Sequence, residues 1–111
     1  PIIMDEQRMF RVFYNLVDNA RKAMPQGGTF TIRAFKADQT LKVEVSDTGV
    51  GMDHTVQRKI FDPFFSYSDE GGTGLGMSIV KSVIEAHNGT LFLSSKPNGG
   101  TTFRVTLPLI D

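Results

Sequence analysis

The stretch DEGGTGLGMS, residues 69–78, holds four glycines and runs directly into an apolar segment with helical periodicity. Glycines at this density mark a loop whose backbone bends sharply or approaches another group closely. A helix that begins directly after such a loop offers free N–H groups and the positive end of its dipole to an anion. The alternative is a flexible surface loop, but the helix start directly after the glycines favours an anion site.

Two well-known phosphate-binding motifs do not fit this stretch. The Walker A motif ends in Gly-Lys-Ser/Thr, and no glycine in the chain is followed by lysine. The dinucleotide motif needs G-x-G-x-x-G and an acidic residue about 20 positions later. GTGLG has a different spacing, and the candidate acid, Glu85, comes too early.

The composition is that of one globular domain. The chain has 111 residues, of which 40% are hydrophobic and 22% charged. Twelve basic residues balance twelve acidic ones, so electrostatic capture of nucleic acid is not expected. Cysteine is absent, which excludes disulfides and thiolate metal sites. Since the sequence starts on Pro1 without an initiator Met, we expect it to be a segment of a longer protein.

Hydrophobic periodicity predicts a helix over residues 5–24, two strands, a short helix over 54–61, a loop, a helix over 75–87 and two further strands. Asp5 is a good N-cap for the first helix, and Pro25 ends it. The apolar residues predicted on one face of that helix are Met9, Val12, Phe13, Leu16, Val17, Ala20, Ala23 and Met24. Hairpins with helices between them predict a two-layer α/β sandwich, with the helices on one face of the sheet.

A polar stripe lies beside this apolar face of the first helix. On a helical wheel Arg8, Asn15, Asn19 and Lys22 cluster together, and Asn19 lies nearest the apolar edge. An amide oxygen suits Mg²⁺ alongside phosphate oxygens and water, and a lysine one turn on can meet a phosphate. Any one of these residues alone is more often a solvated helix residue.

A second glycine loop, SDTGVGMD at residues 46–53, follows the second predicted strand. Asp47 at the strand end can accept a hydrogen bond from an exocyclic amine. Gly49 and Gly51 lack side chains, so a flat ring can approach their backbone. By itself such a string is a turn more often than a site.

Four segments carry a resemblance to a known family. NLVDNARKAM, DTGVGMD, IFDPFF and GGTGLGMSIV, the last continuing through HNGTL to GGTTFRVTLP, resemble in order the N box, first glycine box, F box and second glycine box of sensor histidine kinases. Over residues 5–108 the chain is similar to their catalytic ATP-binding domain. That resemblance implies the Bergerat (GHKL) fold shared with gyrase B, Hsp90 and MutL: one domain over 1–111, with a mixed, mostly antiparallel sheet covered on one face by about three helices.

The resemblance also implies roles for individual residues. Asn19 matches the Mg²⁺ ligand, Lys22 a phosphate-contacting position, Asp47 the reader of the adenine amine, and Thr101 a hydroxyl near the adenine. Asn15 falls where ATPases of the superfamily keep a water-activating glutamate, and with Asn19 and Lys22 it forms the implied catalytic group. The residues implied to surround ATP are Asn19, Lys22, Asp47, Gly49, Gly51, Phe61, Phe65, Gly72, Thr73, Gly74, Leu75, Gly76 and Thr101.

The chain departs from the family pattern in three places. His54 and His87 do not lie in the context of a phosphoacceptor histidine, so we interpret both as structural or surface residues. The short segment that would cover ATP carries Ser-Tyr-Ser, residues 66–68, where related kinases often have Thr-Thr-Lys. PII, residues 1–3, resembles the end of a strand, so the first strand of the fold is expected upstream.

The function implied is the binding of Mg·ATP and the transfer of its γ-phosphoryl group to a histidine on a separate dimerisation domain, for relay to a response regulator. The alternatives are an ATPase or a serine-directed anti-sigma kinase of the same superfamily, and a non-catalytic nucleotide-sensing module. Asn15 argues against the ATPase. The resemblance implies a parent protein that is a homodimer, with this domain in the cytoplasm. The isolated domain is expected to be a monomer. Whether the parent is anchored in a membrane stays open.

Overall fold

The computed structural model describes residues 6–62 and 76–109, and the fold is built from these. The elements are α1 (Glu6–Ala23), β1 (Phe30–Ala37), β2 (Thr40–Asp47), α2 (His54–Lys59), α3 (Gly76–Ala86), β3 (Thr90–Ser95) and β4 (Thr101–Pro108). This is the predicted order of elements. The predicted N-cap Asp5 and the strand end at residues 1–3 lie outside the described residues.

The four strands form one sheet in the order β1-β2-β4-β3, and each neighbouring pair is antiparallel. Two hairpins, β1-β2 and β3-β4, are therefore joined side by side through β2 and β4. Because side chains alternate along a strand, Val43 and Val45 share one face with Phe103 and Val105 opposite them. These residues are buried under the helices, which confirms the predicted two-layer sandwich.

The first helix buries most of its predicted apolar face. Val12 and Leu16 are almost completely buried, as are Met9, Ala20 and Ala23. Val17 was wrongly predicted to be buried, since it points to the side of α1 that also exposes Phe10 and Tyr14. A helical residue about 100° away from the centre of the buried stripe lies at its margin and reaches solvent. Met24 was also predicted in the helix but follows its last residue.

The second and third helices complete the layer over the sheet. In α3, Val80 and Ile84 are fully buried and belong to the same core as Leu16 of α1. Asp53 caps α2, because its carboxylate accepts a 2.9 Å hydrogen bond from Val56 N–H. Asn88 follows α3 with a φ of 61°, which fits the helix stop predicted at that position.

The opposite face of the sheet is polar. Glu44 accepts hydrogen bonds from Arg33 Nη1 at 3.1 Å and from Arg104 Nε at 2.8 Å, one from each neighbouring strand. All three residues stand in one cross-strand row. No helix in the described part of the chain is both long enough and apolar enough to cross a membrane.

The packing of the core predicts how much a substitution there lowers stability, and a residue on the polar face provides a matched control. Phe103→Ala should lower the free energy of unfolding by about 3–5 kcal/mol, because it empties a fully buried ring site. Phe92 lies on β3, next to β4, and is 60% exposed, whereas Phe103 is 2% exposed. Phe92→Ala should therefore change stability by less than about 0.5 kcal/mol in the same urea titration. Equal losses for the two variants would contradict this assignment of the core.

Candidate functional site

Two buried polar residues stand opposite each other where β2 ends and β4 begins. Asp47 pairs in register with Thr101, and the two side chains share the helix-covered face of the sheet. They are 8% and 4% exposed. Burial raises the pKa of the Asp47 carboxyl, and hydrogen bonds from the backbone N–H groups of Gly49 and Thr101 offset part of that rise. The fold thus holds a carboxyl and a hydroxyl side by side in a largely dry position.

The carboxyl of Asp47 is oriented by the first glycine loop. Gly49 N–H donates a 2.8 Å hydrogen bond to Asp47 Oδ1, two residues back along the chain. This is the Asx-type contact that bends a chain out of a strand. It ties the direction of the carboxyl to the path of the loop.

A serine at the end of β3 connects the loop to this pair. Ser95 Oγ lies 2.9 Å from Thr101 Oγ1, accepts from Met52 N–H at 2.9 Å, and donates to the carbonyl of Gly100 at 2.9 Å. Gln57 of α2 donates from Nε2 to the carbonyls of Met52 at 2.8 Å and Ser95 at 3.0 Å. Ser95 and Gln57 were not among the predicted site residues, because nothing in the sequence pattern shows which distant residues they will contact.

The glycines of the first loop meet the chain's own backbone. A Cβ on Gly49 would overlap the carbonyl of Ala23, the last residue of α1, and Val50 N–H donates to that carbonyl at 2.9 Å. Gly51 has a φ of +70°, and a Cβ there would overlap the carbonyl of Lys96. Close packing inside the protein therefore requires both glycines. That they also make room for a flat ring stays a prediction.

The predicted polar stripe of α1 is partly buried. Asn19 is 9% exposed, which is low for an amide on a helix. The Lys22 ammonium lies 3.3 Å from Asp18, one turn before it, and Asp18 also binds Arg21 at 3.1 Å. Lys22 is therefore held against α1 beside Asn19, whereas Arg8 near the start of the helix is exposed.

The first helix connects the two glycine segments. At its end, Ala23 touches Gly49 of the first loop, and two turns earlier Asn15 touches the first residue of α3. A Cβ built on Gly76 would lie 3.2 Å from Asn15 Oδ1. Asn19 lies four residues from each contact, about 6 Å along the helix axis. Asn19 and Lys22 thus lie on α1 between its contact with the start of α3, at Asn15, and its contact with the first glycine loop, at Ala23.

Phe61, the second residue of the F box, packs against the core. Phe61 packs edge-on against Phe103, with ring centroids 6.3 Å apart and an interplanar angle of 74°. The ammonium of Lys81 on α3 lies 5.8 Å from the centroid of the Phe61 ring. Of the other predicted site residues, Phe65, Gly72, Thr73, Gly74 and Leu75 lie outside the described residues.

The two histidines lie at helix ends, His54 at the start of α2 and His87 directly after α3. His54 is the first residue of α2 and is exposed. His87 is half-buried after α3, and its Nδ1 lies 2.8 Å from the carbonyl of Val83.

Comparison with known proteins identifies the family. The family described as histidine kinase-, DNA gyrase B-, and HSP90-like ATPase matches residues 4–111. Among solved structures, the mycobacterial sensor histidine kinase MprB superposes with a TM-score of 0.85 at 30% identity, covering 96% of this chain and 74% of that one. The catalytic domain of histidine kinase ThkA gives the same TM-score and identity over 96% and 70% of the two chains. The chain belongs to this ATPase family, and its fold is that of histidine kinase catalytic domains.

Curated relatives include proteins that are named as sensor proteins. The chain is 41% identical over 104 residues to the sensor protein DivL of Caulobacter vibrioides, covering 94% of this chain and 13% of that protein. It is 40% identical over 113 residues to the sensor protein FixL of Bradyrhizobium diazoefficiens, covering 99% of this chain and 22% of that protein. The chain spans between 8% and 29% of the length of such relatives.

The packing of Gly51 predicts a large cost for the smallest substitution. Gly51→Ala should lower the free energy of unfolding by about 2–5 kcal/mol, since it adds backbone strain and a collision with Lys96. Gly27 has a similar φ of +88°, but nothing lies within 4 Å of a Cβ built there. Gly27→Ala should therefore cost only the strain, about 1–2 kcal/mol, in the same urea titration. If the two losses are equal, the collision does not contribute.

The burial of Asp47 predicts that its negative charge lowers the stability of the folded state. A carboxyl whose pKa is raised by folding favours the folded state below its unfolded pKa, and this contribution is lost as pH rises through the folded pKa. Asp47→Asn should therefore raise the melting temperature at pH 7, by an amount that shrinks on acidification. Asp62→Asn, at an exposed position, controls for the loss of one negative charge. A lower melting temperature for Asp47→Asn at pH 7 would refute the interpretation that the charge of Asp47 destabilises the folded state.

Proposed function

We propose that the chain is the catalytic ATP-binding domain of a two-component sensor histidine kinase. The observation that carries the proposal is the arrangement around α1, which places Asn19 between the first glycine loop at Gly49 and the start of α3 at Gly76. A nucleotide has a base, which needs a specific polar contact, and phosphates, which need N–H groups and cations. The second half of α1, from Asn15 to Ala23, faces one environment of each kind.

The base would lie at the end of β2. A buried carboxylate that accepts hydrogen bonds can receive an N–H of the exocyclic amine of adenine, which is the role proposed for Asp47. Its burial supports this role, because a hydrogen bond to a desolvated carboxylate is stronger than one made in water. Thr101, opposite in register, would be the neighbouring hydroxyl on the base side.

The phosphates and Mg²⁺ would lie toward Asn15 and the start of α3. Mg²⁺ takes few protein ligands and keeps phosphate oxygens and water, so one neutral amide such as that of Asn19 fits it. Mg²⁺ supplies neutralisation of phosphate charge when bound. The Lys22 ammonium, now paired with Asp18, would add one positive charge. The N–H groups of α3 and of residues 72–76 would meet phosphate oxygens.

The reaction would be a phosphoryl transfer. The bond between the γ-phosphorus and the bridging oxygen breaks, a bond to an imidazole nitrogen of the acceptor histidine forms, and ADP leaves. This chain would contribute position and charge neutralisation. Asn15 cannot take a proton from water as a carboxylate can, which disfavours hydrolysis and the ATPase alternative. A serine-directed kinase of the same superfamily is the second candidate.

The partners follow from this reaction. They would be a dimerisation and phosphotransfer domain of the same protein, and the receiver domain of a response regulator that takes the phosphoryl group onto an aspartate. The whole protein would act as a homodimer with this domain in the cytoplasm. The balance of twelve basic and twelve acidic residues supports no role for nucleic acid.

The metal assignment makes a direct prediction. Asn19→Ala should weaken ATP binding at least about tenfold in Mg²⁺ and leave it unchanged in EDTA, because only the metal-bound complex uses the amide. Gln39→Ala removes an exposed amide in the β1–β2 turn and should change neither value. Competition against a fluorescent ATP analogue gives both constants, and circular dichroism checks the fold. Equal binding by Asn19→Ala and the unaltered chain in Mg²⁺ would contradict the assignment.

The kinase assignment is tested by phosphotransfer. The chain is mixed with a dimerisation domain that carries an acceptor histidine and with γ-labelled ATP. We expect acid-labile, base-stable label on the acceptor domain, and none when that histidine is replaced by glutamine. Acid-stable label would favour the serine-directed alternative. Release of inorganic phosphate without any labelled protein would favour an ATPase.

A further inference from the structure

We propose that Ser95 is a positioning residue for the choice of nucleotide base, because it makes the hydroxyl of Thr101 an obligatory hydrogen-bond acceptor. The inference rests on the proposed function, in which Asp47 and Thr101 face the base. Ser95 is the last residue of β3 and stands opposite Thr101 in the β3–β4 pairing. It points to the same face of the sheet as the Asp47 pair.

The number of protons on Ser95 determines the direction of its contact with Thr101. A serine hydroxyl has one proton to donate and two lone pairs. The proton of Ser95 goes to the carbonyl of Gly100, and Met52 N–H uses one lone pair. Ser95 Oγ lies 2.9 Å from Thr101 Oγ1, and its proton is already used. Since a carbonyl can only accept, we assign the Ser95 proton to Gly100 and the hydroxyl of Thr101 as the donor in that contact.

This direction determines what Thr101 can offer to a ligand. With its proton directed at Ser95, Thr101 Oγ1 retains only lone pairs for any other partner. The neighbouring Asp47 carboxylate, when ionised, also has only lone pairs. The two cross-strand neighbours therefore form a pair of acceptors with no donor between them. Such a pair matches a purine with an amino group at position 6.

The same pair opposes a purine with an oxygen at position 6. If that base keeps the orientation of adenine, its carbonyl takes the place of the amino group, faces two acceptors and leaves buried polar atoms without partners. A site built to bond a donor rejects a ligand that lacks it far more strongly than an apolar pocket can. Without Ser95, the Thr101 hydroxyl could rotate and donate to that carbonyl, and the discrimination would decrease.

A substitution of Gln57 can distinguish this effect from simple support of the loop. Gln57 Nε2 bonds the carbonyls of Met52 and Ser95, so it joins the loop to β3 without touching a hydroxyl. Gln57→Met removes those two donors in a side chain of similar length. It should lower stability and leave the preference between bases unchanged. A role limited to loop support predicts instead that Gln57→Met and Ser95→Ala behave alike.

The test measures binding of Mg·ATP and Mg·GTP by competition against a fluorescent ATP analogue. For Ser95→Ala we expect ATP to bind about threefold to tenfold more weakly and GTP no more weakly than to the unaltered chain, which is the range one neutral hydrogen bond supplies. Ser94→Ala removes the adjacent hydroxyl, which is exposed on the opposite face of the sheet, and should change neither value. Asp47→Asn is the positive control, because it should lose the preference for ATP over GTP.

A double-mutant cycle tests whether Ser95 acts through the hydroxyl of Thr101. In a Thr101→Val background, Ser95→Ala should change the ATP-to-GTP ratio no further, since the hydroxyl that it orients is gone. Additive effects of the two substitutions would overturn the inference. So would a loss for Ser95→Ala that is equal for ATP and GTP, or no loss at all.

Two further outcomes keep the proposals separate. If the unaltered chain binds ATP no better than GTP, the proposed base contacts are wrong, and the role inferred for Ser95 is refuted with them. If the unaltered chain prefers ATP and Ser95→Ala retains that preference, the inference alone fails. Thermal melts accompany each variant, and if Ser95→Ala does not fold, Ser95→Cys replaces it. Its thiol keeps the shape but is a weak donor and acceptor, so the ATP-to-GTP ratio should still fall.

Discussion

The described structure depends on the close approach of the first glycine loop to the end of α1. The carbonyl of Ala23, left without an intrahelical partner at the helix terminus, accepts Val50 N–H at 2.9 Å, and Gly49 has no side chain to separate the two backbones. That contact sets the distance between the helix layer and the end of β2. Asp47 lies at that strand end, so its position relative to Asn19 follows from the same packing.

The proposed site places polar groups where the core would otherwise be apolar. Asp47 and Thr101 continue the buried face that Val45 and Phe103 begin, and burial raises the pKa of the Asp47 carboxyl. A stable fold alone would be better served by two apolar residues there. Hydrogen bonds within the chain satisfy these groups: Asp47 accepts from Gly49 N–H, and the Thr101 hydroxyl lies 2.9 Å from Ser95 Oγ.

Periodicity predicted the elements and the two-layer sandwich because helices and strands bury one face each, with different repeats. It was wrong for Val17, since a repeat gives the direction of a side chain and not the width of the surface that covers it. Motif spacing led to Asn19 and Asp47. It led to Gly49 as well, and the structure shows that the backbone there packs against the carbonyl of Ala23.

The sequence by itself determined the order of elements, the family and the residues that carry the family's boxes, because these are properties of local pattern and spacing. Only the tertiary structure decided which of them meet. Ser95 contacts Met52, 43 residues away, and Gln57 contacts Ser95 across 38 residues. Those contacts exist because β4 lies between β2 and β3, which brings the end of β3 beside the loop that follows β2. Strand order is a global outcome of packing, and no local pattern contains it.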